Sequence, residues 1–410
     1  MEKQKCPEVR FKGFTLEWEE FKLENMFTFY RGESFSKSDI VKDGNFKCIH
    51  YGELFTKYNS VIDEVLSSTN LKGLNFGRIG DILMPSSDVT PDGLAKASCL
   101  KVDNVLLGGD INILRPVSLI SSVFISYQIN HSKEKILKCV TGTTVKHVYN
   151  KDLKELGYLI TTFKEQTQIG NFFQNLDQSI ALQEKKLSQT QNLKKAMLEK
   201  MFPKAGSTQP EIRLKGFSGD WALQPLENIF GKIRNAFVGT ATPYYVKSGR
   251  FYLESNNVKD GKINRKSEIF INDYFYYKQQ DKWLKTNDIV MVQSGHVGHA
   301  AVITEELNNS AAHALIMFTD YKVDADPHFI NYQIQTDNAK NEIDKITTGN
   351  TIKHILSSDM KKFSLLFPCV KEQEKIGHFF KQLDETLALQ HQQLQTLKNL
   401  KQAFLEKMFV

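Results

Sequence analysis

The chain contains itself twice. Residues 7–27, PEVRFKGFTLEWEEFKLENMF, return as residues 210–230, PEIRLKGFSGDWALQPLENIF, with 11 of 21 positions identical at an offset of 203. Residues 164–202, KEQTQIGNFFQNLDQSIALQEKKLSQTQNLKKAMLEKMF, return as 371–409 with 22 of 39 identical at an offset of 207. KCVTGTTVKH (138–147) returns as KITTGNTIKH (345–354) at that same offset. Three blocks in one order make the 410 residues a duplication of a unit of about 205, and a repeat of this size must be settled before any local reading. The centres, 28–137 and 231–344, share little that aligns beyond GDILMPSSDV (80–89) over NDIVMVQSGHV (287–297). Each half therefore has a shared frame and a private centre, as one scaffold aimed at two targets would.

The spacing predicts helices over 165–201 and 372–408. Steps of 4,3,4,3 pass through Ile169, Phe173, Leu176, Ile180, Gln183, Leu187, Thr190 and Lys194, and through Ile376, Phe380, Leu383, Leu387, Gln390, Leu394, Leu397 and Lys401. An apolar period of 3.5 is a coiled-coil seam, and a polar residue such as Gln183 or Gln390 within it fixes register. Helices of roughly 50–55 Å cannot bury such a seam alone. The natural partner is the repeat, antiparallel because a whole domain intervenes; a dimerisation coiled coil between chains is the alternative. Short strand-like runs fill the rest: Val123–Ile129, Leu156–Phe163, Ile269–Tyr277, Asp288–Val292, Ala300–Thr304 and Leu315–Thr319, broken by turn residues. PKAGSTQP (203–210) marks the junction. The expected architecture is α+β: mixed α/β domains over 1–163 and 207–370, with helices over 164–206 and 371–410, related by a pseudo-twofold.

Several chemistries are excluded by what is missing. No run of 18 apolar residues exists, so no membrane helix is expected. The N-terminus has no apolar signal core, which reads as mature and cytoplasmic. The five cysteines are scattered without a CxxC pair, against a disulfide framework or a structural zinc. GxG, the P-loop, HExxH and GxSxG are all absent, as is the (N/D)PP(Y/F) tetrapeptide of amino-methyltransferases, since all ten prolines are isolated. No catalytic or metal-binding residue is expected. The net charge of +6 is compatible with nucleic acid without demanding it.

The candidate recognition residues combine cations, hydroxyls and amides, the types that contact phosphates and base edges. In the first half they are Arg31, the segment His50, Tyr51, Thr56, Lys57 and Tyr58, the loop Ser86–Ser87, and Thr143 and Lys146. In the second half they are Gln293, Ser294, Gly295 and His296, then Asn350 and Lys353. Gln293 has the side chain to read adenine by a bidentate pair. Each segment has a plain structural reading as well: an exposed strand pair at 50–58, a turn at 86–88 and 293–296, and a packed turn at 141–147 and 348–354. Trp18 and Trp221, at equivalent positions, read as core. So do most of Tyr244, Tyr245, Tyr252 and Tyr274–Tyr277.

PEVRFKGF…W and PEIRLKGF…W, HYGELFTKY, TGTTVKHV with TGNTIKHI, and the two KEQ…IG…FF…LD…ALQ helices together resemble the specificity subunits of type I restriction-modification systems, over essentially the whole chain. Pro368 before the second KEQ, where the first copy has Thr161, is a minor departure. The resemblance implies two target recognition domains, each gripping a half-site of double-stranded DNA in the major groove, and a coiled-coil spacer that docks two methyltransferase subunits. Restriction subunits complete that complex. It also implies that S-adenosylmethionine, ATP and magnesium belong to those partners, and that this chain binds no cofactor and is not an enzyme. A coiled-coil scaffold without DNA and a self-contained DNA enzyme are the competing readings. If the helices act as a ruler, one added turn in both, about 5.4 Å, lengthens the unread gap of the methylated site by about a base pair. An unchanged gap in sequenced methylated DNA contradicts the ruler.

Overall fold

The computed structural model describes residues 5–73, 76–349 and 352–410. Its contacts form two units, one of residues 1–185 with 392–410 and one of residues 186–391. The long helices Phe163–Lys200 and Val370–Met408 each contribute to both units.

Within each unit the helices run antiparallel. In the first unit Gln183 donates to Gln393 at 3.1 Å, Lys398 meets Glu184 at 2.6 Å and Lys401 meets Asp177 at 2.5 Å. In the second, Lys194 meets Asp384 at 2.8 Å. All sixteen predicted seam residues are buried or half-buried, and most other positions along the middle of the helices are exposed. That is the pattern of a 3.5-residue seam.

The repeated motifs explain one another as contacts. Arg10 of PEVR makes a two-pronged bond to Glu165 of the first KEQ at 2.8 and 2.7 Å. Arg213 of PEIR does the same with Glu372 at 2.9 and 2.8 Å. Both carboxylates are buried, and breaking a buried pair from one side costs on the order of 3–5 kcal/mol. Gln166 and Gln373 accept the backbone N–H of Ser121 and Asp326, the caps of the next helices. Tyr127 donates to Asp177 and Tyr332 to Asp384, at 2.6 and 2.7 Å. The LEKMF ends are core plugs. Phe409 packs on Phe124 and Phe173 in the core that holds Trp18. Phe202 packs on Trp221, Phe329 and Phe380. Both tryptophans are buried, as their place in the repeat suggests.

The private centres turn out to share their topology. In the first unit strands Phe27–Arg31, Ile111–Pro116, Ile82–Pro85 and Ser98–Leu100 form one antiparallel run, and Val61–Ile62 extends it in parallel. In the second, Phe230–Asn235, Leu315–Tyr321, Ile289–Val292 and Ala300–Val302 follow the same order. A second sheet repeats as well: Ile40–Val41, Ser67–Thr69, Phe46–Ile49, Val105–Leu107 against Tyr245–Val246, Phe270–Ile271, Arg250–Leu253, Ala311–Ala312, with a parallel fourth strand in both and, in the first unit, an antiparallel fifth, Phe76–Gly77. Short β-pairs close each unit where Glu19–Lys22 meets Gly157–Ile160 and Ala222–Pro225 meets Ser364–Phe367.

Three expected elements differ. Val123–Ile129 is not a strand but part of the helix Ser122–His131, capped by Ser121 and buried from residue 122 to 129. A short run buried on every side, its Ser126 and Gln128 included, does not by itself tell a strand from a helix. Its counterpart is the helix Pro327–Ile334, so FISYQI (124–129) and FINYQI (329–334) are a further aligned repeat. Ile269–Tyr277 divides into the strand Phe270–Ile271 and the helix Asp273–Tyr277, with Asn272 as the cap between them. The segment at 50–58 is a helix, Tyr51–Thr56, entered through a capping box of His50 and Glu53.

Asp81 and Asp288 open equivalent strands but have different partners. Arg115 clamps Asp81 at 2.9 and 2.7 Å. Among the described residues Asp288 accepts only the backbone N–H of Lys285, and burial pushes its carboxyl up to about 6. A carboxyl raised above its unfolded value stabilises the fold while protonated, and that stability is lost as pH rises through about 6. Asp288→Asn is therefore expected to gain about 1–3 kcal/mol at pH 8 and little at pH 4. Asp81→Asn should lose about 3–5 kcal/mol by stranding Arg115. Thermal melts at the two pH values check both.

Candidate nucleic-acid interface

In each unit one strand end and the TGxTxKH loop meet. Strand Ile82–Pro85 runs on into Ser87–Asp88, which pairs with Lys146–His147. Thr141 and His147 exchange backbone bonds of 3.0 and 2.8 Å and close the loop between them. Thr143 is exposed on that loop. Lys146 is held by the Gly142 carbonyl at 2.8 Å. Arg31 reaches the same place, donating to the Ser86 hydroxyl at 3.3 Å, Asp110 at 3.1 Å and the Gly109 carbonyl at 2.7 Å. The structure thus gathers Arg31, Ser86, Ser87, Thr143 and Lys146 along one edge.

The second unit repeats the construction. Ile355 N–H donates to the Gln293 carbonyl at 2.9 Å and Gly295 N–H to the Lys353 carbonyl at 3.0 Å. Thr348 and His354 close their loop with bonds of 2.8 and 2.7 Å. His296 lies 3.2 Å from the Ser255 carbonyl, and Ser294 bridges to His354. Gln293, Ser294, Gly295, His296 and Lys353 are therefore neighbours; Asn350 lies outside the described residues. Among the described residues the buried Gln293 side-chain carbonyl oxygen has no hydrogen-bond partner, a state that costs about 1–3 kcal/mol.

Glycine is required in both loops. Gly142 and Gly349 each have φ of +98°, and a Cβ there would sit 2.2 Å from the carbonyl oxygen of Val145 or Ile352. The cations are cheap to redirect. The Arg31–Asp110 and Lys353–Asp344 pairs, both 3.1 Å, are about half exposed, and such pairs contribute little in water.

The segment at 50–58 has a different character. Tyr58 is buried, its hydroxyl accepting from Leu66 N–H at 3.1 Å. Lys57 is bound to the buried Glu53 at 2.6 Å and to Ser67 at 3.0 Å. Thr56 bonds back to the Gly52 carbonyl at 3.0 Å, and His50 accepts Gly52 N–H at 3.3 Å while its ring lies 4.5 Å from that of Tyr51. These five side chains hold up a helix and a sheet edge. Among the aromatics of the second half, Tyr252 and Tyr276 are buried as expected, but Tyr274 and Tyr277 are exposed. Among the described residues no three His, Cys, Asp or Glu side chains are grouped to hold a metal ion. No helix among them is long and apolar enough to cross a membrane.

Comparison with known proteins points one way. The family model for the type I restriction modification DNA specificity domain matches residues 15–192 and 238–399. A putative type I restriction enzyme MjaX specificity subunit of Methanocaldococcus jannaschii is 23% identical over 403 residues, 96% of this chain and 88% of that protein. The MjaVIII specificity subunit of the same organism is 21% identical over 280 residues, 66% of this chain and 65% of that protein. The crystal structure of a type I S subunit from M. genitalium superposes with a TM-score of 0.65 at 14% identity, covering 99% of both chains; at that identity the likeness concerns the fold alone.

Alanine at Gly349 or Gly142 must remodel its loop, because both the φ and the carbonyl contact forbid a Cβ. Each substitution is expected to weaken DNA binding at least tenfold with the melting temperature nearly unchanged, since the loops are exposed. Unaltered affinity in a titration would remove these loops from the interface.

Proposed function

The chain belongs to the type I restriction-modification DNA specificity family, and on that premise we propose how it selects the DNA on which a type I complex acts. Each recognition region reads one half of a bipartite, asymmetric site in double-stranded DNA. The edges around Ser86–Lys146 and Gln293–Lys353 approach the duplex: Lys and Arg take phosphates, and Gln293 meets a base edge. Chemistry belongs to partners. Methyltransferase subunits bring S-adenosylmethionine, and restriction subunits bring ATP and magnesium. The assembly works in the cytoplasm.

The observation that carries this reading is the same pair of sheets, in the same strand order, built twice around centres that differ in sequence. A scaffold that only bound other proteins would have no reason to keep the frame and change what it presents. The long helices supply the partner surface. Leu182 and Leu389 are 54% and 55% exposed, and Leu193 and Leu400 are both 44% exposed. These are two repeated pairs at an offset of 207. Within each helix the two leucines are 11 residues apart, about three turns, and share a face. Two copies of one docking stripe suit two copies of one methyltransferase subunit.

The test is salt. Mixed with its methyltransferase subunit, the chain should bind duplex DNA with an affinity that falls about 10³–10⁵-fold between 50 and 200 mM salt, as expected for six to ten phosphate contacts. Binding that is indifferent to salt, or absent, contradicts the proposal and favours the scaffold reading.

A further inference from the structure

We infer that the second recognition region grips duplex DNA with a patch of Tyr274, Tyr277 and Lys278 that the first region lacks. The inference rests on the DNA-specificity reading above. The helix Asp273–Tyr277 is capped by the Asn272 side chain, which accepts Phe275 N–H at 2.9 Å. Two of its aromatics anchor it. Phe275 stacks on Tyr244 with centroids 4.1 Å apart and planes 5° apart. Tyr276 stacks on Trp283 at 4.3 Å and donates to the Asn309 carbonyl at 2.9 Å. Anchored so, the helix holds the other two outward: Tyr274 is 68% exposed and Tyr277 53%. The two are three residues apart on this helix, and residues at that spacing lie on one face.

The charge around them selects the ligand. Each acidic neighbour has an arginine beside it, Asp273 with Arg250 at 3.1 Å and Asp281 with Arg234 at 3.5 Å, so the two exposed pairs add no net negative charge. Lys278 and Lys285 are exposed and make no ion pair among the described residues. Tyrosine hydroxyls and the Lys278 ammonium group donate to phosphate, and the rings pack on sugar and base faces. The patch also belongs to the private part of the chain. Between the strands ending at Ile271 and starting at Ile289 lie 17 residues; the equivalent stretch of the first unit, 70–81, has 12 and no tyrosine. A partner that docks twice needs a repeated surface. A half-site that differs from its mate needs an unrepeated one.

The experiment uses the full chain assembled with its methyltransferase subunit and a duplex carrying the site mapped as methylated in DNA from cells that express both. The double variant Tyr274→Ala/Tyr277→Ala should bind 10–100-fold more weakly than wild type at equal salt, with an unchanged melting temperature. Lys278→Ala should lower the slope of log affinity against log salt by about one. A wild type that binds beside a double variant that binds equally overturns the inference alone. So does a double variant that loses the methyltransferase subunit but, once assembled at high concentration, keeps its DNA affinity; the patch would then face protein. A wild type without salt-dependent binding overturns the DNA reading and the inference with it.

Discussion

A helix of 38 or 39 residues with a seam on one side cannot exist by itself in water, because it leaves a stripe of apolar side chains uncovered. Everything else in this chain answers that constraint. Each long helix meets the other antiparallel, and its last residues, Met201–Phe202 or Met408–Phe409, leave the seam to become the centre of a globular core. Those phenylalanines touch the residues that the opening motifs and the internal helices bring in: Trp221 and Phe329 in one core, Phe124 in the other, which also holds Trp18. The Arg10–Glu165 and Arg213–Glu372 clamps then tie each opening motif to the start of the helix that follows it. The conserved blocks of the duplication are conserved in contact with one another.

Much of this was legible because it is periodic or repeated. The seam residues from Ile169 to Lys194 and from Ile376 to Lys401 could be named from spacing alone, and their burial follows that spacing. The TGxTxKH loops were visible as a repeat, and GDIL over NDIV located the strand that delivers Ser86 and Gln293 beside them. What stayed hidden was set by tertiary context. Phe124–Ile129 is buried on every side, so no alternation separates helix from strand; only FINYQI two hundred residues later could have revealed the helical pair. HYGELFTKY has the composition of a binding strand, yet His50, Glu53 and Lys57 spend their polar groups on capping and on one another. Which two of the four aromatics in Tyr274–Tyr277 face solvent depends on Tyr244 and Trp283, which lie elsewhere in the chain.

The shared frame and the private centres divide the work. The sheets keep their order while their connections change length and composition, so different side chains can be offered from one backbone arrangement. The repeated glycines at 142 and 349 preserve a backbone shape, whereas the strand ends beside them differ, with Ser86 and Ser87 buried in one unit and Gln293 and Ser294 half-buried in the other. Asp81 and Asp288 differ in the same way in the interior: one is paired with an arginine, and the carboxyl of the other is pushed up by burial. Duplication has left the scaffold's covalent logic intact and let its polar details diverge, which is what an asymmetric target requires.

Single-molecule sequencing of methylated bases, in DNA from cells that carry this chain with its methyltransferase, tests the account most directly. Two unlike readers on one frame predict a bipartite motif: two different short half-sites, separated by unread bases of fixed number. A continuous motif, a palindrome with two identical halves, or no motif that depends on this chain would contradict it.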